Sequence, residues 1–133
     1  MNLDGEGFLE WAPVDEFTKK YDIYNISWQT DSIVFVLVDK ECKSAECQKK
    51  IELIWNLSDL ISYHVTDETY REDCWGKTEE FNKEGRFFAR KKSLYVDRMK
   101  AMSPLFPKDA IHFTIIGTNT VVDIIAKDYP EMK

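Results

Sequence analysis

His64 and His112 are the only imidazoles in this 133-residue chain, and they are its first candidates for acid–base chemistry. Two imidazoles converging on one phosphate could act as general acid and general base, as in a small ribonuclease, with Asp67, Glu68 or Asp123 assisting. Each histidine, however, alternates with apolar neighbours in a strand-like run. The competing reading is therefore a partly exposed sheet histidine. A ribonuclease also needs a basic cradle, and the segment from Asp67 to Asp73 is acidic. The three cysteines, Cys42, Cys47 and Cys74, are an odd number in a chain long enough to fold without bridges, and free reduced thiols are the expectation. Cys42 and Cys47 lie close in sequence, but no second close Cys/His pair exists to complete a zinc site, so no metal and no cofactor is expected. Cys74 follows Glu72 and Asp73, acids that would raise its pKa and keep it as the unreactive thiol. A Gly-rich phosphate loop, a nucleophile elbow and a paired-His metalloprotease motif are all missing.

Recognition chemistry is better represented. Seven acids stand against Arg71, Lys77 and Lys83 between Asp67 and Glu84, with Tyr70, Trp75 and Phe81 interleaved. Carboxylates steer the encounter with a basic surface, and aromatic side chains supply desolvated anchors. The candidate partner-binding residues are Asp67, Glu68, Tyr70, Glu72, Asp73, Trp75, Glu79 and Glu80. The first sixteen residues carry five acids and no Lys or Arg, whereas Arg86 to Lys100 carries six basic residues against Asp97 alone. The bland alternative is a set of solvated loops and helix faces.

Those side chains need a scaffold, and the hydrophobic pattern describes one. At 44% hydrophobic, with 18 aromatic residues, the chain can bury a core as a single domain, residues 1–133. Tyr24, Ile26 and Trp28 alternate with polar residues as a half-buried strand does. Ile33 to Val38 is apolar on both faces, the pattern of a central strand covered on both sides. Ile51, Leu53 and Trp55 share one face of the next run. Ile61, Tyr63 and Val65 share one face of the run after it, with Leu60, Ser62 and His64 on the other. The turn-forming Asn56-Leu57-Ser58-Asp59 between these runs predicts a hairpin. A short strand follows around Phe87-Phe88. Ser93 is placed to cap a helix running to about Met102, with Pro104 and Pro107 preventing its continuation. Ile111 to Ile116 and Val121 to Ala126 form the clearest hairpin, turning through Gly117-Thr118-Asn119 in a manner that suits a bulged turn. A further short helix after Pro13 is expected, and the stretch from Cys42 to Lys50 tolerates one. The predicted fold is α+β: mainly one antiparallel sheet of about five to seven strands with two or three helices.

Net charge is −6, which argues against a general nucleic-acid binder and suits a basic protein partner. The N-terminus lacks a basic segment followed by an apolar run, and the longest apolar run is far too short for a membrane helix. A soluble cytoplasmic protein with no membrane association is the expectation.

Several stretches resemble known proteins. Ile61-Ser62-Tyr63-His64-Val65-Thr66-Asp67-Glu68-Thr69-Tyr70-Arg71, Phe87-Phe88 with Ser93-Leu94-Tyr95, and Ile111-His112-Phe113 with Asn119-Thr120-Val121-Val122-Asp123-Ile124 are similar to small bacterial immunity proteins. These belong to contact-dependent growth inhibition and other polymorphic toxin systems. The resemblance covers roughly the second half of the chain. It implies a cytosolic, non-enzymatic inhibitor that binds a cognate toxin's C-terminal domain, commonly a nuclease. It carries over no inhibitory residue. The alternatives are a small RNase-like enzyme using His64 and His112, and a homodimeric regulatory protein.

Overall fold

A computed structural model describes residues 9–10, 21–39, 50–67, 87–117 and 119–133 of the chain. The fold is mainly antiparallel β. Its elements are β1 (Leu9–Glu10), β2 (Tyr21–Trp28), β3 (Ser32–Asp39), β4 (Lys50–Asn56), β5 (Leu60–Asp67), β6 (Phe87–Arg90), α1 (Leu94–Met102), β7 (Ile111–Ile116), β8 (Thr120–Ala126) and β9 (Glu131–Met132). They form two sheets where one was expected. The first has the order β2-β3-β4-β9, and the second β1-β6-β7-β8-β5, in which β1 contributes only two residues. One helix, α1, is present among the described residues; the short helix expected after Pro13, and residues 42–49 of the stretch that tolerates one, lie outside them.

The main departure is at residues 56–59. These were expected to fold β4 back onto β5 as a hairpin, yet β4 pairs with β3 and β9 while β5 pairs with β8. Hydrogen bonds around the link show how the chain changes sheets. Asp59 N donates to Asn56 O, Leu57 N to Asp31 O on the β2–β3 turn, and Lys127 N to Asp59 O beyond β8. The turn is there, but it delivers the chain from one layer to the other. Each run has one apolar face, and such a face can be buried against a facing sheet as well as beside a neighbouring strand.

The core lies between the sheets. Ile33, Phe35, Leu37, Leu53 and Trp55 from one sheet meet Phe87, Ala89, Phe113, Ile115, Val122 and Ile124 from the other, all buried. Ile51, Leu53 and Trp55 share that inner face as their spacing predicts. Strand β3 is sealed on its Ile33–Phe35–Leu37 face, whereas Val34, Val36 and Ile54 floor a shallow depression on the outer side. The expectation of cover on both sides thus holds for the inner face and only partly for the outer one.

Two β-bulges reset the alternation read from sequence. The register of β2 against β3 shifts between Ile23 and Asn25, which brings Ile23 and Ile26 to the core and leaves Tyr24 exposed. In β5 the register shifts between Leu60 and Ser62. Leu60 and Tyr63 therefore pack on the main core, while Ile61 packs under the helix, away from the face predicted for it. A single extra residue moves every side chain beyond it to the other face, and hydrophobic spacing alone does not announce it.

The β7–β8 hairpin forms as predicted, but its ladder has no register shift where a bulged turn was expected. Gly117 N donates to Thr120 O at 2.8 Å and so extends the pairing into the turn. Gly117 also lies where the sheets approach closely, since a Cβ there would stand 2.6 Å from Asp22 Oδ1. Helix α1 begins and ends as read. Ser93 caps it by accepting from Val96 N at 3.0 Å, and Ser103 closes it. Val96, Ala110 and Ile125 make a second, smaller core beneath it, joined by Ile61, Tyr95, Met99 and Phe106.

Candidate functional site

Strand pairing lays out the polar residues on the outer face of the second sheet. His64, Asp123, Thr114 and Phe88 occupy one row across β5, β8, β7 and β6, and Ser62, Ile125, His112 and Arg90 occupy the next. The start of α1 closes over these rows and completes a hydrogen-bonded cluster. His112 Nδ1 lies 2.8 Å from Ser93 Oγ, and His112 Nε2 lies 2.7 Å from Asp123 Oδ1. Thr114 Oγ1 donates to the same carboxylate oxygen at 2.9 Å. Ser93 Oγ already accepts from Val96 N, so its own proton is available to His112 Nδ1. With that donor on Nδ1, a neutral imidazole carries its proton on Nε2 and donates it to Asp123. His112 and Asp123 are each 2% exposed, and Ser93 and Thr114 are buried with them.

A serine, a histidine and an aspartate in contact invite comparison with a catalytic triad, and the geometry argues otherwise. Ser93 Oγ is the helix cap, engaged by Val96 N and by the imidazole, and it is sealed from solvent. The cluster ties α1 to β7 and β8. Both histidines reach the same face, but the Tyr95 ring stands between them, 5.4 Å from the His112 ring and 6.2 Å from that of His64. A shared phosphate would need open space at that position. His64 is exposed and His112 is enclosed.

Tyr95 Oη and Ser62 Oγ are hydrogen-bonded at 2.5 Å, linking α1 to β5. Burial raises the Tyr95 pKa above its ordinary value of 10.0; the Ser62 hydrogen bond opposes this, and the Asp123 carboxylate adds to it. The unfolded chain therefore ionises first as pH rises. The stabilisation is complete below pH 10.0 and is lost as pH climbs through the folded-state value. Tyr95→Phe is expected to flatten the alkaline decline in stability above that pH, as measured by urea unfolding at successive pH values.

Of the predicted partner-binding residues, Asp67 is described: it ends β5, opposite Thr120, and is exposed. Glu68, Tyr70, Glu72, Asp73, Trp75, Glu79 and Glu80 lie outside the described residues, as do Cys42, Cys47 and Cys74. Among the described residues, no group of three His, Cys, Asp or Glu side chains is placed to hold a metal ion, and no helix is long and apolar enough to cross a membrane. Sequence reasoning missed two exposed aromatic residues, Tyr24 and Trp28, on β2. The alternation placed both on the buried face, and the bulge that frees Tyr24 leaves no mark in the pattern. Trp28 packs on Tyr63 with ring centroids 5.8 Å apart, and its indole N–H donates to Tyr63 Oη at 3.3 Å.

The fold and the cluster together define a two-sheet antiparallel scaffold with α1 latched to the outer face of the second sheet. Compared with protein families, curated proteins and solved structures, the chain matches none.

Proposed function

We propose that this protein is a recognition module that acts by binding a basic protein partner. More particularly, we propose a cytoplasmic bacterial immunity protein that neutralises a cognate toxin domain, a nuclease, by covering its basic active-site surface. The observation that carries this reading is the segregation of charge along the chain: seven acids with Tyr70, Trp75 and Phe81 between Asp67 and Glu84, next to the basic run from Arg86 to Lys100. The exposure of Asp67, the described residue of that segment, supports it. The enclosure of His112 also favours binding over acid–base turnover.

Carboxylates in this segment would pair with toxin Arg and Lys, while Tyr70 and Trp75 pack into its surface. Charge reversal of Glu72, Asp73 and Glu79 to Lys is expected to weaken binding to the toxin domain about a hundredfold, mostly through slower association and lost ion pairs. Calorimetric titration against a catalytically dead toxin domain measures this. Unchanged affinity would place the interface elsewhere.

A further inference from the structure

A groove lies between the last turn of α1, the loop that follows it and the start of β5. Pro104 stops the helix, and the loop is held by Leu105 N donating to Ser103 Oγ at 3.2 Å and Phe106 N to Ser103 O at 3.3 Å. The bulge at the start of β5 sets Ile61 on the helix side of the sheet. Leu60, Ile61, Met99, Met102, Leu105 and Phe106 make the apolar part of the lining. The volume is about 420 Å³, within the range of small-molecule sites. Met102 is 77% exposed and Leu105 89%, so the fold leaves both in water. Met99 and Met102 are unbranched and polarisable, which lets the lining follow the shape of an occupant.

The charge at this groove is positive. Lys127 lines it, and among the described residues no Asp or Glu does. The Lys127 backbone is fixed by its N–H donating to Asp59 O at 2.8 Å, and its ammonium forms no ion pair with a described residue. The neighbouring Asp128 carboxylate is turned to Tyr129 N, from which it accepts at 2.8 Å. Ser103 Oγ already accepts from Leu105 N, so its own proton is available to an acceptor in the groove, and Ser58 adds a second hydroxyl. Residues 98–108, which form one wall, carry Arg98, Lys100 and Lys108 and no acid, between Asp97 and Asp109. An ammonium and hydroxyl donors beside an apolar trough complement a carboxylate on an apolar tail. The same cations disfavour a second copy of the chain here, since a two-fold contact would bring them together.

We propose that this groove binds a small amphipathic monocarboxylate, of the class of a medium-chain fatty acid. The tail lies between α1 and β5, and the carboxylate sits at Lys127, with the Ser58 and Ser103 hydroxyls as further donors. The site goes beyond the proposed basic partner and draws on nothing in the segment from Asp67 to Glu84.

The test titrates the full chain, its methionine methyl groups labelled with carbon-13, with decanoate below its micelle concentration at neutral pH. The expected result is saturable movement of the Met99 and Met102 methyl signals, with that of Met132, on β9, unmoved. Lys127→Gln, at an exposed residue, is expected to weaken decanoate binding about tenfold. It should leave binding of decanol, the same tail without the charge, unchanged. Decylammonium should bind no better than decanol. Equal affinity for decanoate and decylammonium, or no effect of Lys127→Gln on decanoate, overturns the proposal. Movement that begins only above the micelle concentration overturns it by assigning the face to a lipid surface. Movement that follows protein concentration alone overturns it by assigning the face to a second copy. An absence of saturable movement with decanoate overturns it as well, and leaves the basic-partner reading standing.

Discussion

Asp123→Ala is expected to lower the unfolding free energy by about 3 kcal/mol or more. The carboxylate is 2% exposed and receives hydrogen bonds from His112 Nε2 at 2.7 Å and Thr114 Oγ1 at 2.9 Å. Its removal leaves an imidazole N–H and a hydroxyl buried without that acceptor, and both are enclosed beneath α1. The loss should therefore exceed that of a single surface hydrogen bond, which is nearer 1 kcal/mol. Asp123→Asn keeps an oxygen that His112 can donate to, so a cost of only about 1–2 kcal/mol is expected. Chemical denaturation separates the two variants, and amide exchange locates the effect. Protection should fall first in α1, whose N-cap Ser93 is tied to the same imidazole. A loss below about 1 kcal/mol for Asp123→Ala would mean that the cluster does not hold the helix.

Trp55→Ala should cost more, about 4 kcal/mol, because it empties the largest fully buried side chain among the described residues. The Trp55 ring meets Phe35 at 5.5 Å and Phe113 at 5.3 Å, one residue from each sheet, and its indole N–H donates to Asp128 O at 3.0 Å. The variant loses dispersion contacts on both sides and also leaves the Asp128 carbonyl without that donor. Against a total stability of roughly 5–15 kcal/mol, such a loss threatens folding at physiological temperature. Trp55→Phe retains most of the ring volume and is expected to lose about half as much. Trp28→Ala provides the contrast. That tryptophan is more than half exposed, so its removal should cost at most about 1 kcal/mol of stability. Urea unfolding of the three variants under one set of conditions measures these differences.

Helix α1 was fully legible in the sequence, because its determinants are local. Ser93 supplies an acceptor for Val96 N, and Pro104 ends what Ser103 closes. The β7–β8 hairpin was legible for the same reason: its two alternating runs are joined by a Gly/Asn turn short enough to fix the pairing. The inner face of β4 was also correctly read. The β4–β5 hairpin was misread, because a turn sequence does not specify whether the next strand lies beside the last one or opposite it. The faces assigned to Tyr24 and Ile61 failed at bulges, where an inserted residue is stabilised by partners from distant parts of the chain.

The site divides along the same line. Composition and spacing by themselves established an antiparallel β protein with a capped helix, an acidic segment with interleaved aromatics, and two histidines of undecided role. All of these depend on residues near one another in sequence, where hydrogen-bonding capacity and alternation act over a few positions. Only the tertiary structure decided that His112 is enclosed with Ser93 and Asp123, and that Tyr95 separates it from His64. It alone set Trp28 against Tyr63. Those contacts join residues 11 to 35 positions apart on different elements. Their energies come from burial and geometry that exist only once α1 has packed on the outer face of the second sheet and the two sheets have met.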